Sequence, residues 1–85
     1  MNKTVKIIVL MNNQILISEI IEIGADIGQP DCKLICPFVI KEQNTLEPWL
    51  VSVSRQDTFM LSSDKILTIT EPMPTLLEKY EELIK

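Results

Sequence analysis

Alternating apolar and polar side chains organise most of this chain into short strands. Thr4 to Leu10 reads Thr-Val-Lys-Ile-Ile-Val-Leu, a β-branched, partly alternating run that predicts a strand. Met11-Asn12-Asn13-Gln14 predicts the turn after it, because asparagine tolerates the positive φ that a tight hairpin needs. Ile15 to Ile23 is a longer apolar run, interrupted by Ser18, Glu19 and Glu22. A helix is the alternative there, but the isoleucines and the scarcity of strong helix formers favour a strand. Gly24 to Asp31 holds both glycines and Pro30 and predicts the clearest loop. Cys32 to Lys41 predicts a third strand, in which Pro37 needs an edge, a bend or a bulge because proline cannot donate to the ladder. Residues 42–48 predict a polar turn. Trp49, Val51 and Val53 then alternate with Leu50, Ser52 and Ser54, predicting a fourth strand that resumes over Thr58 to Leu61 after a bulge at Arg55-Gln56-Asp57. Ser62-Ser63-Asp64 predicts a short turn, and Lys65 to Thr70 a fifth strand.

The period changes after Glu71. Pro72 and Pro74 end the sheet, and Thr75-Leu76-Leu77-Glu78 has the spacing of a capping box with Thr75 as N-cap. Leu76, Leu77, Tyr80, Leu83 and Ile84 then fall on one helical face. The expected fold is therefore mostly β: five short antiparallel strands closing into a small, strongly bent barrel, with a C-terminal α-helix capping its open end. Closure would remove the exposed sheet edges. The expected organisation is one domain, with the barrel over residues 1–72 and the helix, 73–85, packed on it.

Composition narrows the function classes. Eighty-five residues bury a limited core, and 46% hydrophobic content is more than such a monomer readily covers, which points to oligomerisation. The net charge is −4, without a basic block, which argues against a stand-alone duplex-DNA binder. Met1-Asn2-Lys3-Thr4 leads straight into the first strand with no signal-peptide pattern, and no apolar stretch has the length of a membrane helix. With two cysteines four residues apart in a strand, too distant to bridge, the expected location is a reducing cytoplasm.

Catalytic chemistry finds no support. The chain has no histidine, no set of structural zinc ligands and no glycine-rich phosphate loop, so no enzyme activity, metal or cofactor is expected. Cys32 and Cys36 read as small apolar residues. The pairs Glu19/Glu22 and Glu81/Glu82 read as solvated faces. Phe38, Trp49 and Tyr80 could stack on bases, but core or interface packing is the stronger expectation, with Trp49 as an interface anchor.

Two segments carry a family resemblance. Leu10 to Ile20 resembles the first motif of Sm-like (LSm) domains: strand, tight turn, then a strand with a small residue at Ser18 and an apolar one at Ile20. Leu61-Ser62-Ser63-Asp64-Lys65-Ile66 resembles the family's turn between its last two strands. The two segments frame residues 4–70. The pattern departs from the family where RNA is read: Ser62 and Ser63 stand at its Arg and Gly, and Lys33 at its base-contacting Asn. The helix also follows the last strand instead of preceding the first, an arrangement similar to that of small Sm-like proteins of cyanophages.

The resemblance implies an SH3-like Sm barrel. It also implies a homo-oligomeric ring of five to eight subunits, in which the fourth strand of one subunit pairs with the fifth of the next. Trp49, Phe59, Leu67 and Ile69 would then lie at subunit interfaces. Lys33, Ser62 and Lys65 would line the pore and contact single-stranded RNA with altered specificity. The location would be the host cytoplasm if the chain is phage-encoded. The alternative is a protein-interaction or structural module on the same barrel without RNA binding, favoured by the acidic balance and the altered motifs.

Overall fold

The computed structural model describes residues 4–24 and 26–84. Six strands and one helix form: β1 (Val5–Leu10), β2 (Ile15–Glu22), β3 (Cys32–Lys41), β4 (Thr45–Pro48), β5 (Thr58–Leu61), β6 (Ile66–Thr70) and α1 (Pro74–Leu83). Every pairing is antiparallel, and the sheet runs β4-β3-β2-β1-β6, with β5 also on β3. The β1–β2 turn is set by Asn13, whose φ of 70° is one that asparagine adopts at modest cost. Asn12 Oδ1 accepts the Gln14 amide within the same turn.

The strand count differs from the expected five because β3 bends in its middle. Its first half, Cys32–Ile35, pairs with β5, and its second half, Phe38–Lys41, pairs with β4. Between them Cys36 has a φ of 53° and Pro37 has no amide hydrogen, so the ladder is interrupted there. The strand opposite breaks at the same place. Residues 49–57 leave the sheet as a loop, although their alternation predicts a strand, and the strand instead covers Thr45–Pro48, where a turn is expected. Leu50 turns the chain with a φ of 58°, and Val53 is 77% exposed. Periodicity in this segment lost to the backbone defect on its partner strand.

The same bend forms a β-bulge against β2. Ile17 pairs with Phe38 and Glu19 with Ile35, so Cys36 and Pro37 together oppose Ser18. Ser18 is fully buried, and its hydroxyl lies 2.8 Å from the Glu19 carbonyl and 3.1 Å from that of Ile35. A small side chain with a donor fits this position because an unpaired buried carbonyl would be costly.

The two faces of the sheet carry two apolar clusters. Ile8, Leu10, Leu16, Ile20, Cys32 and Leu34 form one, with Trp49, Leu61 and Ile66 against it. Val5, Ile17 and Tyr80 form the other, joined by Phe38, Leu46, Leu76 and Ile84. The apolar stripe of α1 thus covers the second face of the sheet rather than the end of a barrel. The helix begins two residues earlier than the capping-box spacing predicts. Pro74 occupies its first turn, Met73 is the N-cap, and no side chain caps it. Proline's fixed φ suits the first helical position and dispenses with an amide that the helix would leave unpaired.

Candidate functional site

Two loops distant in sequence meet at one end of the sheet. The carboxylate of Asp31, in the β2–β3 loop, accepts the Ser63 amide and the Ser63 hydroxyl, both at 2.7 Å. Ser63 opens the 3-10 turn Ser63–Lys65 that links β5 to β6. These hydrogen bonds from Ser63 hold the Asp31 carboxyl below the usual carboxylate range. The Lys65 amide bonds to the Ser62 carbonyl at 3.0 Å, and the Lys65 carbonyl accepts the Met11 amide at 2.9 Å. The turn is therefore held on both sides, and Asp31, not the turn's own Asp64, caps it.

The three RNA-binding candidates share this neighbourhood but not one surface. Ser62 and Lys65 belong to the same turn. Ser62 lines a polar pocket of about 320 Å³ with Asp26, Asp31, Ser63 and Asp64, whereas Lys65 lines a smaller apolar one with Leu10, Met11 and Trp49. Lys33 lies on β3 opposite Met60, between the buried Cys32 and Leu34, so it points to the other face of the sheet. Three aspartates at the turn outweigh the two lysines nearby.

The more prominent feature of this end is a pair of open edges. β5 pairs only with β3 and β6 only with β1, so among the described residues the ladder stays open between β5 and β6. The closure that alternation and chain length predict is absent as a pairing, because the 3-10 turn replaces a tight hairpin and sends β6 away from β5. Ile69 sits opposite the fully buried Ile8 yet is 44% exposed; Leu67 is 56% and Met60 48% exposed. A cleft of about 590 Å³ opens beside β6, with Lys6, Ile21, Cys32, Ser63 and Ile69 among its walls. The Cys32 thiol is pushed up by burial and by the charges of Asp31 and Glu22, so the thiolate is disfavoured there.

The aromatic candidates pack. Tyr80 is fully buried edge-to-face against Phe38 at 5.8 Å. Trp49 meets Phe59 at 5.5 Å, and its indole N–H donates to Gln14 Oε1 at 3.3 Å. Of the interface candidates, Leu67 and Ile69 lie exposed on the edge strand β6, Phe59 lies half-buried on the other edge strand, β5, and Trp49 is half-buried in the loop after β4. Sequence reasoning missed Asp31, since nothing local marks an aspartate as the cap of a turn 32 residues away.

Among the described residues no group of three or more His, Cys, Asp or Glu side chains could hold a metal ion, and no helix is long and apolar enough to cross a membrane. The family model described as "Family of unknown function (DUF6561)" matches residues 3–85. No curated protein matches the chain.

Proposed function

We propose that this chain, which belongs to DUF6561, a family of unknown function, is a self-assembling interaction module whose copies join β5 of one to β6 of the next. The observation that carries this reading is the pair of open edges. Natural proteins blunt exposed edges with charge, proline or a covering element. β6 reads Ile-Leu-Thr-Ile-Thr and β5 reads Thr-Phe-Met-Leu, with neither charge nor proline inside them. Pairing the two edges between copies would satisfy their backbone groups and cover Ile69 and Leu67.

The same arrangement is what the Sm-like resemblance implies, with β5 as the end of the fourth strand and β6 as the fifth. On this reading each bent sheet is an Sm-like, SH3-like barrel completed by its neighbour, and the assembly closes into a homo-oligomeric ring. Its work is binding other proteins. The polar pocket at the β5–β6 turn is rich in carboxylate, which repels phosphate.

A second reading, single-stranded RNA at a ring pore, is favoured by Ser62 and Lys65 sharing one turn. The two readings part in one preparation. An Ile69→Lys substitution puts a charge on the β6 edge, and sizing chromatography should show the assembly falling to single subunits. An unchanged elution would count against edge pairing. An absorbance ratio typical of nucleic acid in the wild-type peak, with filter-binding affinity at low salt, would favour RNA over a protein partner.

A further inference from the structure

The bend in β3 leaves a notch in the sheet between the end of β4 and the start of β5. The Trp49 amide donates to the Pro37 carbonyl at 3.0 Å on one flank, and the Cys36 amide to the Asp57 carbonyl at 2.6 Å on the other. The resulting cavity, about 320 Å³, is walled by Pro37, Pro48, Trp49, Asp57, Phe59 and Ile84, among others. We propose that this notch binds the guanidinium of an arginine side chain presented by a partner protein.

Three independent features favour a cation there. The aromatic pair Trp49–Phe59 offers π surface, and the indole N–H is already engaged by Gln14. The Asp57 side chain is exposed and accepts one hydrogen bond, from Thr58 Oγ1 at 3.2 Å, which leaves acceptor capacity on a carboxylate. The end of α1 reaches the notch through Leu83 and Ile84, and a helix C-terminus carries partial negative charge on carbonyls that lack partners within the helix. Among the described residues no basic side chain lines the cavity. Its size is at the low end of ligand sites, which suits one side chain rather than a cofactor. Arginine fits better than lysine because its planar, weakly hydrated fork can stack on a ring and reach a carboxylate at the same time. The notch is formed within one copy, so the inference does not depend on edge pairing.

Trp49 is the chain's only tryptophan, so its fluorescence reports the notch directly. The wild-type protein is titrated with N-acetyl-arginine amide and, separately, with the neutral isostere N-acetyl-citrulline amide, using free N-acetyl-tryptophan amide as the collisional control. The expected result is a saturable change with the arginine compound in the millimolar range and roughly tenfold weaker binding of citrulline. Asp57→Asn should weaken arginine binding roughly fivefold without lowering the melting temperature, because the Asp57 backbone makes the contact to β3. Equal responses to arginine and citrulline, or no saturable change with arginine, would overturn the proposal. N-acetyl-lysine amide binding as tightly as the arginine compound would overturn the assignment to arginine.

Discussion

The hydroxyl of Tyr80 accepts the amide hydrogen of Glu19 at 3.2 Å, and so ties the C-terminal helix to the bulge between β2 and β3. The same oxygen lies 3.1 Å from the Ile35 carbonyl and 2.9 Å from that of Cys36, to one of which its hydrogen is donated. The bulge leaves backbone groups without ladder partners, and the helix supplies one. Tyr80→Phe keeps the ring packing on Phe38 but takes the hydroxyl away from the Glu19 amide and from the Ile35 and Cys36 carbonyls. The expected cost is about 1–3 kcal/mol in a urea unfolding experiment, and a loss within error would show that water reaches the bulge.

Tyr80 is also the chain's only tyrosine, so tyrosinate absorbance titrates this group alone. Burial pushes its phenol up to about 12 from an ordinary value of 10. The folded state therefore holds the proton more tightly than the unfolded one. The stability from this difference is complete below pH 10 and is lost as pH rises towards 12. The absorbance should stay flat through pH 10 and rise together with unfolding, and the Tyr80→Phe variant should lose less stability across that window. A phenol titrating at its ordinary value in the folded protein would contradict its burial.

The acid side has the opposite sign. The folded-state value of Asp31 is depressed by its bonds from Ser63, so its contribution is present above the ordinary 3.8 and disappears as pH falls through the lower folded value. Asp31→Ala should release the β5–β6 turn, seen as faster amide hydrogen exchange at Ser63 near neutral pH. Exchange unchanged from wild type would mean that the amide has another acceptor.

Removing the chain after Pro72 deletes α1 and bares the face formed by Val5, Ile17 and Phe38. Burying each large apolar side chain is worth about 1.5–3 kcal/mol, so the truncated chain should lose several kcal/mol or fail to fold. Equal denaturation midpoints would contradict the packing of Leu76 and Tyr80 on the sheet.

The strands whose own residues alternate or are β-branched throughout, such as β1 and β6, were legible in the sequence. So was the Asn12-Asn13 turn, where one residue's φ tolerance decides the geometry. Pro37 announced an irregularity in β3, but its consequence falls on residues 49–57, where the local pattern of Trp49, Val51 and Val53 points the other way. Pairing is a property of two strands, and one strand's periodicity cannot report its partner's defect. The pattern placed Tyr80 on the apolar face of the helix, but the use of its hydroxyl was hidden. So was the Asp31–Ser63 contact, because both join residues far apart in the chain. The open edge of β6 was readable as composition, through Leu67 and Ile69, but not as geometry, since closure depends on the shape of the Ser63–Lys65 turn.

Edge pairing between copies is tested most directly by the absolute mass of the pure protein in solution, from light scattering behind a sizing column. Pairing of β5 with β6 around a closed ring predicts a single peak at the mass of five to eight chains. A monomer at the same concentration, with Leu67 and Ile69 left in water, would contradict it.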